Sequence, residues 1–192
     1  MERPAKYIAS SDAEPPRQGE IISGLVQVRM QLDDVGLVSA RAIPLIHPFA
    51  IVLTQDCDLE QHVGRIKRGE EGNLPSVLFC EAVLASHLRE TAGGKDIWKR
   101  VRQNKDERYH CLERVPAELD ATGAGINALG IDFKRYFTLP TDEVLERIRR
   151  AESRRRAYLA PPYSVHLAAR FYYYQMRVAL PDEHEIEQTP AV

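Results

Sequence analysis

The pattern of apolar and polar positions predicts a chain of short strands and helices. Residues 20–30 alternate in part between apolar and polar side chains, which is typical of a strand with one solvent-facing side. Residues 49–54 are apolar almost without interruption, so they predict a second strand that is buried on both faces. Further strands are predicted over 76–84, 108–115 and 131–139.

Apolar residues at helical spacing predict helices over 95–106 and 164–177. A short helix is expected over 85–91 after the third strand, and Thr141 as a possible N-cap, with Asp142 and Glu143 in the first turn, predicts a helix over 142–155. In the helix over 164–177, an apolar stripe favours packing on a core, and it consists of Leu167, Phe171, Tyr174 and Val178. Because the strands do not alternate regularly with helices, a doubly wound parallel sheet is disfavoured. The pattern therefore predicts an α+β fold: a small, mostly antiparallel β-barrel with appended helices and a C-terminal helix.

Local composition divides the chain into three regions. Residues 1–18 are polar and contain several prolines, which predicts a flexible N-terminal arm. Residues 19–181 are predicted to form a single barrel-plus-helices domain, since a chain of 192 residues most often makes one domain. Residues 182–192 are acidic and predict a disordered tail.

Charge and cysteine content limit the kinds of function and cellular location that the chain can have. The formal net charge of −2 excludes binding of polyanions by bulk charge, so nucleic-acid binding requires a local basic face. Three widely spaced cysteines without a C-x-x-C pair predict free thiols in a reducing compartment. The N-terminus lacks an apolar targeting region and the longest apolar runs are too short to span a bilayer, so we expect a cytoplasmic protein without membrane association.

The segment that follows the second strand, Thr54-Gln55-Asp56-Cys57-Asp58, is the first candidate site. An apolar strand that ends in two carboxylates and a thiol commonly presents chemistry at a strand end. One hypothesis is zinc binding, because thiolates, imidazoles and carboxylates are all suitable ligands. Its candidate ligands are Cys57, Cys80 and Cys111, with His47, His62 and His110 as neighbours.

Two other hypotheses concern the same strand-end site. Cys57 could act as a nucleophile, although its flanking carboxylates raise the pKa of a thiol and so oppose this chemistry. Alternatively, Asp56 and Asp58 could accept backbone N–H hydrogen bonds and fix the exit of the strand, or pair with arginines. The sequence favours the structural hypothesis, in which Cys57 is a small packed side chain.

Basic residues cluster in two segments that could contact a polyanion or a protein partner. The candidate contacts in these segments are Lys99, Arg100, Arg102, Arg154, Arg155 and Arg156. A second stripe on the C-terminal helix adds His166, Arg170, Tyr173 and Arg177, which could bind a partner or stack on bases. The alternative for both sets is an ordinary solvated or packed helix face.

Three local patterns together resemble an uncharacterised bacterial family that has no assigned activity. They are Gln18-Gly19-Glu20-Ile21-Ile22, the segment 51–58 with its Gln-Asp-Cys-Asp motif, and the block from Leu159 to Pro181. A weaker resemblance is to the SH3-like barrels of MazF/PemK-type toxins. It rests on Gly19-Glu20-Ile21 and on the strand from His47 to Thr54. That resemblance implies an SH3-like barrel and endoribonuclease activity, with His47 standing where the toxins have a catalytic arginine.

The leading functional hypothesis is a non-catalytic binding or accessory module that acts with a larger protein partner or with nucleic acid. The family resemblance suggests a toxin–antitoxin or antiviral defence context. The alternative is an endoribonuclease that uses His47 and Thr54, and a second alternative is a zinc-binding protein. No cofactor other than zinc is implied, since the chain has no Walker loop, nucleophile elbow, H-E-x-x-H or dinucleotide fingerprint.

Overall fold

Antiparallel strands form one sheet that organises the molecule. The structure is a computed structural model and describes residues 5–32 and 40–176. Within these residues the strands are β1 (Tyr7–Ala9), β2 (Glu20–Leu32), β3 (Ala40–Val52), β4 (Ser76–Leu84), β5 (Tyr109–Leu112), β6 (Leu129–Pro140) and β7 (Arg154–Leu159). The helices are α1 (Asp56–Lys67), α2 (Ala85–Thr91), α3 (Lys95–Arg102), α4 (Thr141–Arg149) and α5 (Tyr163–Gln175).

The strand order across the sheet is β1-β7-β2-β3-β4-β6-β5, and each neighbouring pair is antiparallel. The prediction of a mixed α+β fold with a mostly antiparallel sheet is therefore confirmed. The predicted closure into a barrel is wrong for the described residues, because the sheet is open. Its edge strands, β1 and β5, have three and four residues, and no ladder joins them in the described part of the chain.

The central strand β3 carries the core on both of its faces. Residues 50–53 are almost completely buried, as the apolar run predicts. On one face, Ile51 belongs to a cluster completed by Phe133 of β6 and Phe171 of α5. On the other face, Ala50 belongs to a cluster with Phe79 and with residues of α1 and α4. The helices therefore cover both sides of the sheet.

Two segments of the sheet differ from the sequence prediction. The second strand begins at Ala40 instead of residue 49, so β2 and β3 form a long hairpin. The helix predicted over 142–155 ends at Arg149, and β7 begins at Arg154. Ala151, with a φ of 59°, lies in the turn that separates the two elements.

Residues 7–15 pack on the sheet and do not extend from it as a loose arm. Residues 7–9 form β1, which pairs with β7 at one edge. Arg155 of β7 donates hydrogen bonds to the carbonyl oxygens of Ser11 and Glu14 at 2.6 Å and of Pro15 at 3.0 Å. The predicted acidic tail, 182–192, lies outside the described residues.

The β2–β3 hairpin continues beyond its neighbours in the sheet. β7 pairs with β2 over 20–23, and β4 pairs with β3 over 49–52. Beyond these positions the hairpin is a two-stranded ribbon, on which Gln27 and Arg29 face the same surface as His47. Within the described residues, no helix combines the length and apolar character needed to cross a bilayer.

Candidate functional site

A bulge interrupts the pairing of β4 with β6. Cys80 pairs with Tyr136 and Ala82 pairs with Ile131, so Glu81 faces residues 132–135 of β6. Bulges of this kind redirect side chains and are common beside functional sites. Here the bulge turns several charged side chains of β6 toward one surface of the sheet.

Hydrogen bonds fix the shape of the bulge. The Asp132 carboxylate accepts the backbone N–H of Lys134 at 3.1 Å and two hydrogen bonds from Arg108 at 2.8 and 2.6 Å. The buried thiol of Cys80 lies 3.3 Å from the carbonyl oxygens of Asp132 and Arg135 and can donate to either. Burial is the main cause that raises the pKa of Cys80 above its usual range, so this thiol stays protonated.

Glu81 links two residues that approach from different strands. Its carboxylate accepts a hydrogen bond from Nη1 of Arg135 at 2.9 Å, and it lies 3.5 Å from Nδ1 of His47. The interaction with His47, reinforced by Arg135, outweighs the opposite effect of burial and lowers the pKa of Glu81 to about 2. Glu81 is therefore a carboxylate at physiological pH.

His47 lies beneath this surface and is 4% exposed. Its ring stacks on Phe137 with 3.9 Å between centroids and 8° between planes. Both ring nitrogens are enclosed, and neither makes a hydrogen bond of normal geometry within the described part of the chain. A ligand on the surface therefore cannot reach these nitrogens unless neighbouring side chains move.

Two adjoining cavities, of about 360 and about 420 Å³, follow the bulge and share Glu81 and Arg135 as lining residues. We call the combined feature the trough. Its polar and aromatic lining includes Gln27, Arg29, His47, Glu81, His87, Arg108, Asp132, Lys134, Arg135 and Tyr136. Among these described residues, four cations face two carboxylates, so the trough is basic although the whole chain carries a net charge of −2.

The strand-end site has a structural role at Asp56. The Asp56 carboxylate accepts the backbone N–H of Gln18 at 2.6 Å, and the Gln18 side chain donates to the carbonyl of Leu53 at 3.0 Å. This hydrogen bond agrees with the structural hypothesis for Asp56, whereas Cys57, which that hypothesis expected to be packed, is exposed. Gln55 occupies the N-cap position of α1, and Asp56 and Asp58 lie in its first turn, where the helix dipole favours acidic side chains.

The two residues of the endoribonuclease hypothesis do not come together. The Thr54 hydroxyl accepts the backbone N–H of Leu78 at 2.7 Å, beside the strand end. His47 lies seven residues earlier along the same extended chain, a separation of roughly 20 Å at the usual rise per residue. The structure therefore does not assemble His47 and Thr54 into one catalytic site.

The cysteines of the zinc hypothesis are also dispersed. Cys57 is exposed on α1, Cys80 is buried in β4, and Cys111 is half-buried on β5. In residues 5–32 and 40–176, no group of three or more His, Cys, Asp or Glu side chains is arranged to hold a metal ion. His62 instead accepts the backbone N–H of Leu74 at 3.0 Å through Nδ1.

Two of the basic contact candidates are internal. Arg155 pairs with Glu20 at 2.7 Å, and both side chains are buried. Arg156 pairs with Asp120 at 2.6 Å and is also largely buried. The prediction that Arg155 and Arg156 contact a partner is therefore wrong, since each has a buried carboxylate partner. The exposed members of the set are Lys99, Arg100, Arg102 and Arg154.

The second stripe of α5 is only partly free for contacts. His166 and Tyr173 are exposed, but Arg170 is half-buried and donates to the carbonyls of Asp106 and Tyr109. Arg170 also donates to Nδ1 of His110 at 3.1 Å. The apolar stripe is confirmed at Leu167, Phe171 and Tyr174, which are buried, whereas Arg177 and Val178 lie outside the described residues.

Sequence reasoning did not identify the trough. The adjacent charges Lys134 and Arg135 interrupt the alternation of the strand predicted over 131–139, and this was the available signal for a bulge. The partners Glu81 and Asp132 carry no comparable local signal, because long-range strand pairing brings them to the site.

No family model, curated protein or solved structure matches this chain.

Proposed function

We propose that this protein is a non-catalytic binding module that holds single-stranded nucleic acid in the trough. The observation that carries this proposal is the convergence of Arg29, Lys134 and Arg135 beside one cavity of a net-acidic chain. Phosphate groups are the polyanionic ligands that such a local basic surface attracts. The trough is a local positive surface on a molecule whose net charge is negative.

The arginines of the trough are suited to phosphate binding. Arg135 is 64% exposed and directs Nη1 to Glu81, so the rest of its guanidinium faces the open trough. Arg108 directs Nε and Nη2 to Asp132, which fixes its plane at the opposite end. A guanidinium that is oriented in this way loses less side-chain entropy when it binds a phosphate.

An aromatic side chain beside the cations favours a single strand over a duplex. Tyr136 is 51% exposed, lines the trough, and rests edge-on against Phe171 with 5.8 Å between ring centroids. Unpaired bases stack on exposed aromatic rings with little dependence on sequence, whereas paired bases in a duplex are not available. The trough therefore offers both backbone and base contacts.

The geometry supports binding more strongly than the endoribonuclease alternative. A general acid or base must come within hydrogen-bonding reach of the proton that it transfers. Both ring nitrogens of His47 are enclosed beneath Phe137 and Glu81, and Thr54 lies elsewhere. Cooperation with a larger protein partner stays a prediction, and the bacterial defence or toxin–antitoxin context stays an expectation from the family resemblance.

Fluorescence anisotropy with labelled oligonucleotides tests this function. We expect saturable binding of single-stranded RNA or DNA, with weaker binding of a duplex of equal length. Binding through three or four phosphates gives a slope of about −2 to −3 in a plot of log affinity against log salt concentration. Absence of binding at low salt, or affinity that does not depend on salt, would contradict the proposal, and cleavage of the RNA would favour the enzyme alternative.

A further inference from the structure

A separate cavity lies where the sheet fails to close. The edge strands β1 and β5 approach each other without forming a ladder, and side chains connect them instead. Tyr7 donates its hydroxyl to the carbonyl of Glu113 at 2.8 Å, and Lys6 pairs with the Glu113 carboxylate at 2.5 Å. These contacts set the distance between the two edges and leave a space beside them.

This space has a volume of about 480 Å³, which is in the range of small-molecule sites. We call it the edge cavity. α3 lines it with Trp98 and Arg102, and the start of α5 lines it with Tyr163 and His166. β5 contributes His110 from the side of the sheet. Elements that are distant in the sequence therefore line the same cavity.

The lining of the edge cavity is rich in rings and carries a cation. Trp98 and Tyr163 are half-buried: each ring packs against a hydrophobic cluster and leaves some of its surface accessible. The rings of His110 and His166 lie 5.8 Å apart. Arg102 is exposed at the same cavity, whereas Lys6 is already paired with Glu113. Such a lining suits a planar heteroaromatic ring that carries an anionic group.

His110 contributes a neutral imidazole to the wall of the edge cavity. Its side chain is buried, and its Nδ1 receives a hydrogen bond from Arg170. An arginine can only donate, so Nδ1 is the acceptor and the ring proton of neutral His110 resides on Nε2. Burial, together with the charge of Arg170, lowers the pKa of His110 to about 3, so the ring is neutral at physiological pH.

We propose that the edge cavity binds a nucleotide, with the base against the aromatic rings and the phosphate at Arg102. This proposal does not depend on the trough, because the two sites share no lining residue. The same chemistry serves a free mononucleotide or one base of a bound strand. The two sources can be distinguished in a single experiment.

Trp98 is the single tryptophan of the chain and reports occupancy directly. Its fluorescence is followed while the four ribonucleoside monophosphates are added, and then while a short single strand is added. We expect a saturable change with at least one monophosphate, and none with ribose 5-phosphate or inorganic phosphate. Isothermal titration calorimetry provides an independent measurement of the same affinity.

Variants locate the binding event. Arg102→Gln and His166→Ala alter exposed side chains and should weaken nucleotide binding by about tenfold or more. Lys95→Gln removes an exposed charge from the same helix outside the cavity and should leave the affinity unchanged. Lys134→Gln/Arg135→Gln should also leave mononucleotide affinity unchanged, which separates this site from the trough.

Each result of these titrations either supports or contradicts nucleotide binding in the edge cavity. A response to a mononucleotide that Arg102→Gln weakens supports a site for free nucleotides. A response to the strand alone that Arg102→Gln weakens supports capture of one base. No response to either ligand, or equal affinity in wild type, Arg102→Gln and His166→Ala, would overturn the proposal even if the trough binds nucleic acid.

Discussion

Arg135 and Glu81 form an ion pair across the bulge, with 2.9 Å between Nη1 and the carboxylate. The Glu81 side chain is 16% exposed, whereas that of Arg135 is 64% exposed. The carboxylate is therefore the fixed member of the pair, and the guanidinium is available to a ligand. This asymmetry makes Glu81 a positioning residue for the trough.

Replacement of Glu81 by glutamine should strengthen nucleic-acid binding. The change removes a negative charge from a cavity that also contains Arg29 and Lys134. We expect the affinity for a single strand at low salt to rise by about threefold. Anisotropy titrations of wild type and Glu81→Gln measure the difference. Unchanged binding would contradict contact between the trough and phosphate, and weaker binding would show that the orientation of Arg135 by Glu81 outweighs the charge of its carboxylate.

The same substitution should alter the acid dependence of stability. Folding lowers the pKa of Glu81 from 4.5 to about 2, so its contribution is complete above 4.5 and is lost as pH falls toward 2. We expect Glu81→Gln to lower the free energy of unfolding by about 2 kcal/mol near neutral pH. This difference from wild type should narrow as pH falls below 4.5.

Urea denaturation at several pH values measures this effect. Glu146→Gln is the matched control, since Glu146 also pairs with arginines but lies on the surface of α4, where solvent screens the interaction. The lowered pKa of Glu81 would be contradicted if the loss of unfolding free energy in Glu81→Gln stayed constant with pH, or if it equalled the loss in Glu146→Gln.

The buried pair of Arg155 and Glu20 should be essential for stability. Arg155→Ala removes the cation that pairs with the fully buried Glu20 carboxylate, which keeps the hydrogen bond from the backbone N–H of Arg17. We expect a loss of about 3–5 kcal/mol in the free energy of unfolding. Because Arg155 also binds three carbonyls of the N-terminal segment, that segment should become sensitive to proteases.

Arg149→Ala is the control for this change. Arg149 pairs with Glu146 but its side chain is 71% exposed, and surface ion pairs contribute little. If Arg155→Ala and Arg149→Ala lowered the free energy of unfolding equally in urea denaturation, the buried pair of Arg155 and Glu20 would contribute no more than a surface ion pair.

The cysteines should differ sharply in reactivity. Cys57 is exposed, Cys80 is buried, and Cys111 is half-buried with its pKa raised to about 11 by burial. Titration of the native protein with Ellman's reagent should therefore show rapid reaction at Cys57. Cys57→Ser should abolish the rapid phase, while unfolding should expose the other thiols. A rapid phase that survives Cys57→Ser would contradict the described burial.

The features predicted correctly from sequence are those with local signals. The unbroken apolar run at 49–54 indicated a strand with two covered faces, and residues 50–53 are buried as expected. The spacing of Leu167, Phe171 and Tyr174 likewise indicated the packed face of α5. In both cases the pattern of apolar residues within the element is enough to predict which of its faces are buried.

The features missed depend on contacts between distant residues. The run Arg154-Arg155-Arg156 is typical of a solvated surface, yet Arg155 and Arg156 meet carboxylates 135 and 36 residues away in the sequence. The trough similarly needs the register of β4 and β6, which no local pattern specifies. Closure of the barrel was predicted wrongly because the pairing of the edge strands is a long-range contact, which no local pattern specifies.

The most direct test of the account compares two double variants that remove the same charge. Lys134→Gln/Arg135→Gln alters the trough, whereas Arg149→Gln/Arg150→Gln alters exposed arginines of the α4 region that pair with Glu146. The account predicts that the trough variant binds a single strand at least about tenfold more weakly, with a salt slope reduced by about 1.4. The α4 variant should bind like wild type, and equal losses in the two variants would contradict a specific binding trough.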